Sequence, residues 1–124
     1  MRYATAILLA VSGYVHADLY LHGYRVIPLV GPAFLLQASG SFAIAVLLVF
    51  GNNLVPRLAA AGLAAGALAG FVLSRTVGIG TFVEQGFDPA PQALISVLAE
   101  VAVLALLVVA WRIQASTAGA RATS

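Results

Sequence analysis

The chain contains no cysteine and no lysine, and only 8% of its 124 residues are charged. Without cysteine, disulfides, thiolate metal sites and thiol redox chemistry within the chain are excluded. Six arginines face four acids, for a net charge of +2. They are scattered singly, so no basic patch suits nucleic acid, and none is expected as a partner. A soluble domain carries about a quarter charged residues, so this composition belongs to the membrane class. Histidine is scarce too. His16 and His22 stand six residues apart, about 120° from each other around a helix, and cannot share one metal from a regular face. No other segment supplies a histidine, so neither a metal nor another cofactor is expected.

What is present in quantity is hydrocarbon. Hydrophobic residues make up 62% of the chain and the mean hydropathy is +1.04. At about 20 residues per crossing, four helices with short connections nearly exhaust the length. The expected fold is therefore all-α, a polytopic membrane protein built as a four-transmembrane-helix bundle. The spans are placed at residues 3–21, 29–50, 56–77 and 92–111, within a domain covering 1–114. The small polar residues of 115–124 are expected to form a disordered tail.

The opening segment, MRYATAILLAVSGYVHA, also has the outline of a secretory signal. Apolar character resumes at Leu19 and the charged start is thin, so the segment is assigned as a span. Its far end carries tyrosines suited to the head-group level. Gly31-Pro32 suits a first helical turn, where the proline N–H would be unpaired anyway. Gly51-Asn52-Asn53 is expected to turn the chain into the third helix. The longest loop, TVGIGTFVEQGFDPAPQ, holds Glu84 and Asp88, and its Gly78-Ile79-Gly80 lacks the Lys-Ser/Thr of a phosphate loop.

The third span reads LAAAGLAAGALAGFVLSR, with Gly62, Gly66, Gly70 and Ser74 recurring every four residues. Such a stripe is nearly free of side chains, and another helix can approach it closely. It is expected to be the main packing spine, set against a helix of the same chain.

Glu100 lies inside SVLAEVAVLALL, where an ionised carboxylate costs about 2.5–3.5 kcal/mol on insertion scales. Something should offset that cost. Counted from the outer helix ends, Glu100 lies about 12 Å deep, Gln37 about 13 Å and His16 about 9 Å. Arg75 starts nearer the surface and can reach inward. The expected buried polar cluster is His16, Asp18, Gln37, Arg75, Ser96 and Glu100. In it Glu100 pairs with Arg75 or His16, Gln37 and Ser96 complete the hydrogen bonds, and Asp18 competes for Arg75. No catalytic residue is assigned.

Four spans put both termini on the side of Arg2, Arg57, Arg112 and Arg121, against Arg25 and Arg75 with the loop acids. The positive-inside rule then predicts a multi-pass protein of the inner (plasma) membrane with both termini cytoplasmic.

At HADLYLHGYRVIPLVGPAFLLQ, at FVLSRT and at the acid of AEVAVLALL, the chain resembles a family of small, uncharacterised four-helix membrane proteins of actinobacteria. The matching positions are His16, Tyr20, Gly23, Tyr24, Pro28, Gly31, Arg75 and Glu100. The resemblance implies the same four-span fold and carries no activity with it. Three function classes follow from the residues. The first is a structural or accessory membrane component that packs in the lipid bilayer against a second copy or a larger membrane complex. The alternative is a proton-linked carrier or channel component using Glu100, His16 and Arg75. A membrane enzyme acting on a lipid-soluble substrate such as a quinone comes last, because the hydroxyl nucleophiles lack a convincing base.

Overall fold

In the computed structural model, which describes residues 1–51 and 54–123, four helices account for nearly all regular structure. They are α1 (Arg2–Leu21), α2 (Val30–Phe50), α3 (Leu54–Arg75) and α4 (Gln92–Thr123), with a 3-10 turn at Tyr24–Val26 between the first two. All four are long and apolar enough to cross a membrane, and the fold is the expected all-α bundle. In lipid a helix satisfies its own backbone groups, so runs this poor in polar side chains settle into that form. The expected turn at Asn52 and Asn53 lies outside the described residues.

Each helix packs on the next, and α4 closes the ring against α1. One end of the bundle carries the N-terminus and the start of α3; we call it the terminus end. The other carries residues 22–29 and 76–91 and is called the loop end. The tightest approach is α1 on α2. A Cβ built on Gly13 would stand 3.0 Å from Cβ of Ser41 and 3.3 Å from the Ala38 carbonyl, so only glycine lets these backbones close. Nearer the terminus end, Leu9, Leu48, Ala60, Ala64 and Val103 form a core in which none is more than 1% exposed.

The small-residue face that α3 buries is thus Ala60 and Ala64, and not the glycine stripe. A Cβ placed on Gly62, Gly66 or Gly70 meets nothing within 4 Å. The reason is geometric. At about 100° per residue a row of every fourth position advances by about 40° per step. It begins at Gly62, about 160° away from Ala60, and reaches the buried face only at Ser74, which is 3% exposed. The expected spine is therefore open along most of its length.

α4 continues as helix through Thr123, across the stretch expected to be disordered. Alanine-rich sequence favours helix without help from neighbours, and the Thr117 hydroxyl donates to its own helix at the Ile113 carbonyl. From Trp111 onward every described side chain is exposed. The extension is pinned where Arg57 donates to Gln114 at 2.7 Å.

These contacts separate two glycines that look alike in the sequence. Gly13→Leu should lower stability in detergent by about 3 kcal/mol through overpacking, whereas Gly66→Leu should leave it within about 0.5 kcal/mol of wild type. Thermal unfolding followed by helical circular dichroism checks both, and equal losses would contradict this account of α3.

Candidate functional site

Two short polar rows face one another in the half of the bundle nearer the loop end. On α1, Ser12 and His16 are one turn apart. On α4, Ser96 and Glu100 have the same spacing, which puts each pair on one helix face. Glu100 is 1% exposed. Its Oε1 accepts from Ser96 Oγ at 2.6 Å and from Ser12 Oγ at 2.8 Å, and His16 Nε2 stands 4.0 Å from the same oxygen. His16 Nδ1 lies 2.8 Å from the Ser12 carbonyl. A carbonyl only accepts, so Nδ1 carries the hydrogen, and in the neutral ring Nε2 is left as an acceptor on the side of Glu100. Phe34 packs edge-on to the imidazole at 4.9 Å and fixes its plane.

The cluster forms one wall of a cavity of about 160 Å³ between the helices. Phe34, Phe71 and Ala67 contribute apolar surface, and Gly66 and Gly70 contribute backbone. The two glycines thus find their place as cavity wall: the side chains they lack would occupy this space. On the α2–α3 side, Gln37 donates to the Leu63 carbonyl at 3.1 Å and also lines the cavity. Toward the terminus end the cavity stops at the apolar core.

His16, Gln37, Ser96, Glu100 and Arg75 all reach this cavity, but the expected pairing of Arg75 with Glu100 does not form. Among the described residues the only acid–base side-chain contacts within 4.0 Å are His16–Glu100 and His22–Asp18. Arg75 points into the loop instead. Its Nε donates to the Gly86 carbonyl at 2.8 Å, Nη1 to Ser74 Oγ at 2.6 Å, and Nη2 to the Asp88 carbonyl. Its guanidinium also lies 3.9 Å over the Phe71 ring. Loop carbonyls within reach satisfy the planar fork at the helix end, so burying it beside Glu100 would forfeit those bonds. Asp18 is likewise outside the cluster, held by His22 at 3.1 Å on an exposed turn.

Ser12 belongs to the site although sequence reasoning passed over it. The available signal was its place one turn before His16, at the depth of Glu100. The cover of the cavity was missed as well. Tyr24 hydroxyl donates to Glu84 Oε1, and its ring packs on Phe34 at 5.0 Å and Phe82 at 5.6 Å. The Glu84 N–H donates to the Ser74 carbonyl at 2.8 Å, and Ile79 of the same loop lines the cavity. Burial, and then the Glu84 carboxylate, push the Tyr24 phenol well above its ordinary range, so it remains a donor at any physiological pH. Gly31 lets the loop end close. A Cβ there would come within 2.4 Å of the Arg25 carbonyl.

Two outcomes follow from this geometry. Tyr24→Phe removes a hydrogen bond to a carboxylate, worth about 1.5–3 kcal/mol. Amide exchange over residues 78–86 should then accelerate roughly tenfold or more, while the α1 and α4 amides near Ser12 and Glu100 keep their protection. Ser12→Ala should lower global stability by about 0.6 kcal/mol and at most about 2, the range for interhelical polar contacts in membranes, as read from thermal unfolding.

No protein family, no curated protein and no solved structure matches this chain, so its function has to be argued from the cavity.

Proposed function

We propose that this protein is an accessory membrane component that holds a small lipid-soluble molecule in the cavity beside Glu100. The observation that carries this reading is the cavity itself, a mostly apolar space of about 160 Å³ with a few hydrogen-bonding groups in its lining. Binding sites of this kind are mostly apolar, with a few placed polar groups that orient the ligand. A cavity of about 150 Å³ is enough to hold a benzene ring. The walls supply the Phe34 and Phe71 rings, the Gln37 amide and the His16–Glu100 pair. A ligand with a flat, ring-sized head and hydrogen-bonding substituents, as in phenols and quinones, suits that surface. Its apolar remainder would lie along the lipid-facing sides of the helices.

A proton-linked carrier is the second reading. It is favoured by one distance, the 4.0 Å between His16 Nε2 and Glu100 Oε1, because both groups exchange protons and intramembrane carboxyls commonly do so for a purpose. Against a channel stands the core of Leu9, Leu48 and Val103 between the cavity and the terminus end. Transport would require that core to open, and binding does not.

The placement we propose is the inner (plasma) membrane with both termini in the cytoplasm, on the balance of Arg2, Arg57, Arg112 and Arg121 against Arg25 and Arg75. The cavity then lies in the outer half of the bilayer, under the loop that Tyr24 and Arg75 fasten.

Decylubiquinone serves as a ring-headed probe for the binding reading. It should raise the unfolding temperature of the detergent-solubilised protein, and Gly70→Leu, which fills the cavity without touching the core, should abolish the rise. An equal rise in the variant would sink the proposal. For orientation, a phosphatase fused after Ser124 should be inactive and a fluorescent cytoplasmic reporter bright; the reverse pattern would invert the topology.

A further inference from the structure

The acidic side chains of this bundle are gathered toward one end. All four carboxylate side chains lie toward the loop end: Asp18 near the end of α1, Glu84 and Asp88 in the loop, and Glu100 in the first third of α4. Arg2 and Arg57 lie at the terminus end, where both line a pocket of about 300 Å³ floored by Thr5, Leu48, Leu107 and Ala110. Among the described residues each has only neutral partners. Arg2 donates to the Tyr3 hydroxyl at 3.0 Å and sits over that ring, and Arg57 donates to the Gln114 amide oxygen. Two guanidinium groups thus line one pocket that, among the described residues, has no carboxylate in its lining.

We propose that this pocket binds a phosphate-bearing anion between Arg2 and Arg57. A guanidinium offers a planar fork of donors that matches phosphate oxygens. Two such forks from different helices line the same pocket, and a phosphate seated there takes donors from both. The pocket is too large for a halide, and Leu48, Leu107 and Ala110 give it apolar surface beside Thr5, so an anion carried on an organic group fits it better than a small inorganic one. The level is that of the bilayer head groups, since α1 and α3 begin here and α2 ends here. The same phosphate chemistry is offered by an anionic lipid head group and by a soluble phosphate. This site is independent of the cavity beside Glu100 and lies at the opposite end of the bundle.

Native mass spectrometry of the detergent-solubilised full chain tests it, with dioleoylphosphatidylglycerol, dioleoylphosphatidylcholine and inorganic phosphate as separate probes. The phosphatidylglycerol should be retained more strongly than the phosphatidylcholine. Each of Arg2→Gln and Arg57→Gln should weaken its retention about fivefold, the effect of about 1 kcal/mol per arginine at an anionic surface. Arg112→Gln, outside the pocket, should not. Arg57→Lys keeps the charge but not the fork, and gives an intermediate loss even where the glutamine variant is hard to purify. Displacement of the lipid by millimolar inorganic phosphate, dependent on Arg57, would support the site and assign it to a soluble anion; no displacement would assign it to the lipid. Equal retention of the two lipids, or unchanged retention when both arginines are replaced, would overturn the proposal.

Discussion

A single carboxyl group buried among helices sets the terms for the rest of this structure. Glu100 is almost wholly buried, and no arginine is brought to it, so its cost is met by hydroxyl donors from α1 and from its own helix. Those donors have to be small enough for α1 and α4 to approach, which serine allows and a longer polar side chain would not. The bond from Ser12 therefore does two things at once. It satisfies a buried acceptor, and it fixes the register of α1 against α4 at the depth where His16 follows one turn later.

From that register the cavity follows. α1 is drawn close to α2 at Gly13 and to α4 at Ser12, while α3 touches its neighbours through Ala60 and Ala64 near the terminus end. Nearer the loop end α3 presents Gly66 and Gly70, which have no side chains to fill the gap. The helices thus close on an apolar core on the terminus side of the cavity and stand around an open volume nearer the loop end. The polar lining that α1 and α4 give to that volume is the same group of residues that joins the two helices, so the cavity and the α1–α4 contact share their hydrogen bonds. The loop end is closed by a phenol held on a carboxylate and by an arginine that spends its donors on loop carbonyls.

Much of this was legible beforehand, and the exceptions have a common cause. The number of spans, the ends of the first three and the start of the fourth, to within two residues, come from hydropathy and from Gly and Pro, which act locally. His16, Ser96 and Glu100 could be grouped because polar residues in a lipid-soluble chain are few and their depths can be counted. The glycine stripe misled because a row of every fourth residue winds around the helix, and α3 is so rich in alanine that several of its faces could have packed. Arg75 misled because charge pairing was weighed against burial without the loop carbonyls, whose positions depend on how the segment after α3 folds back. Asp18 went to His22 for a similar reason, since a partner one turn away on an exposed helix end costs nothing to reach. The tail carries no packing signal at all, and its helix rests on alanine propensity.

By itself, then, the sequence determined that this chain forms four apolar helices, that one acid is forced into the bundle, and that the arginines outnumber the acids at the terminus end. These are consequences of composition and spacing, which hold whatever the helices touch. Only the tertiary structure decided which face of each helix is buried, because an apolar helix in apolar surroundings gains almost nothing by turning one side rather than another toward the lipid. It follows that the partner of Glu100, the open side of the glycine stripe and the direction of Arg75 were settled by close contacts between particular small residues, above all Gly13 with Ser41 and the pair Ala60 and Ala64.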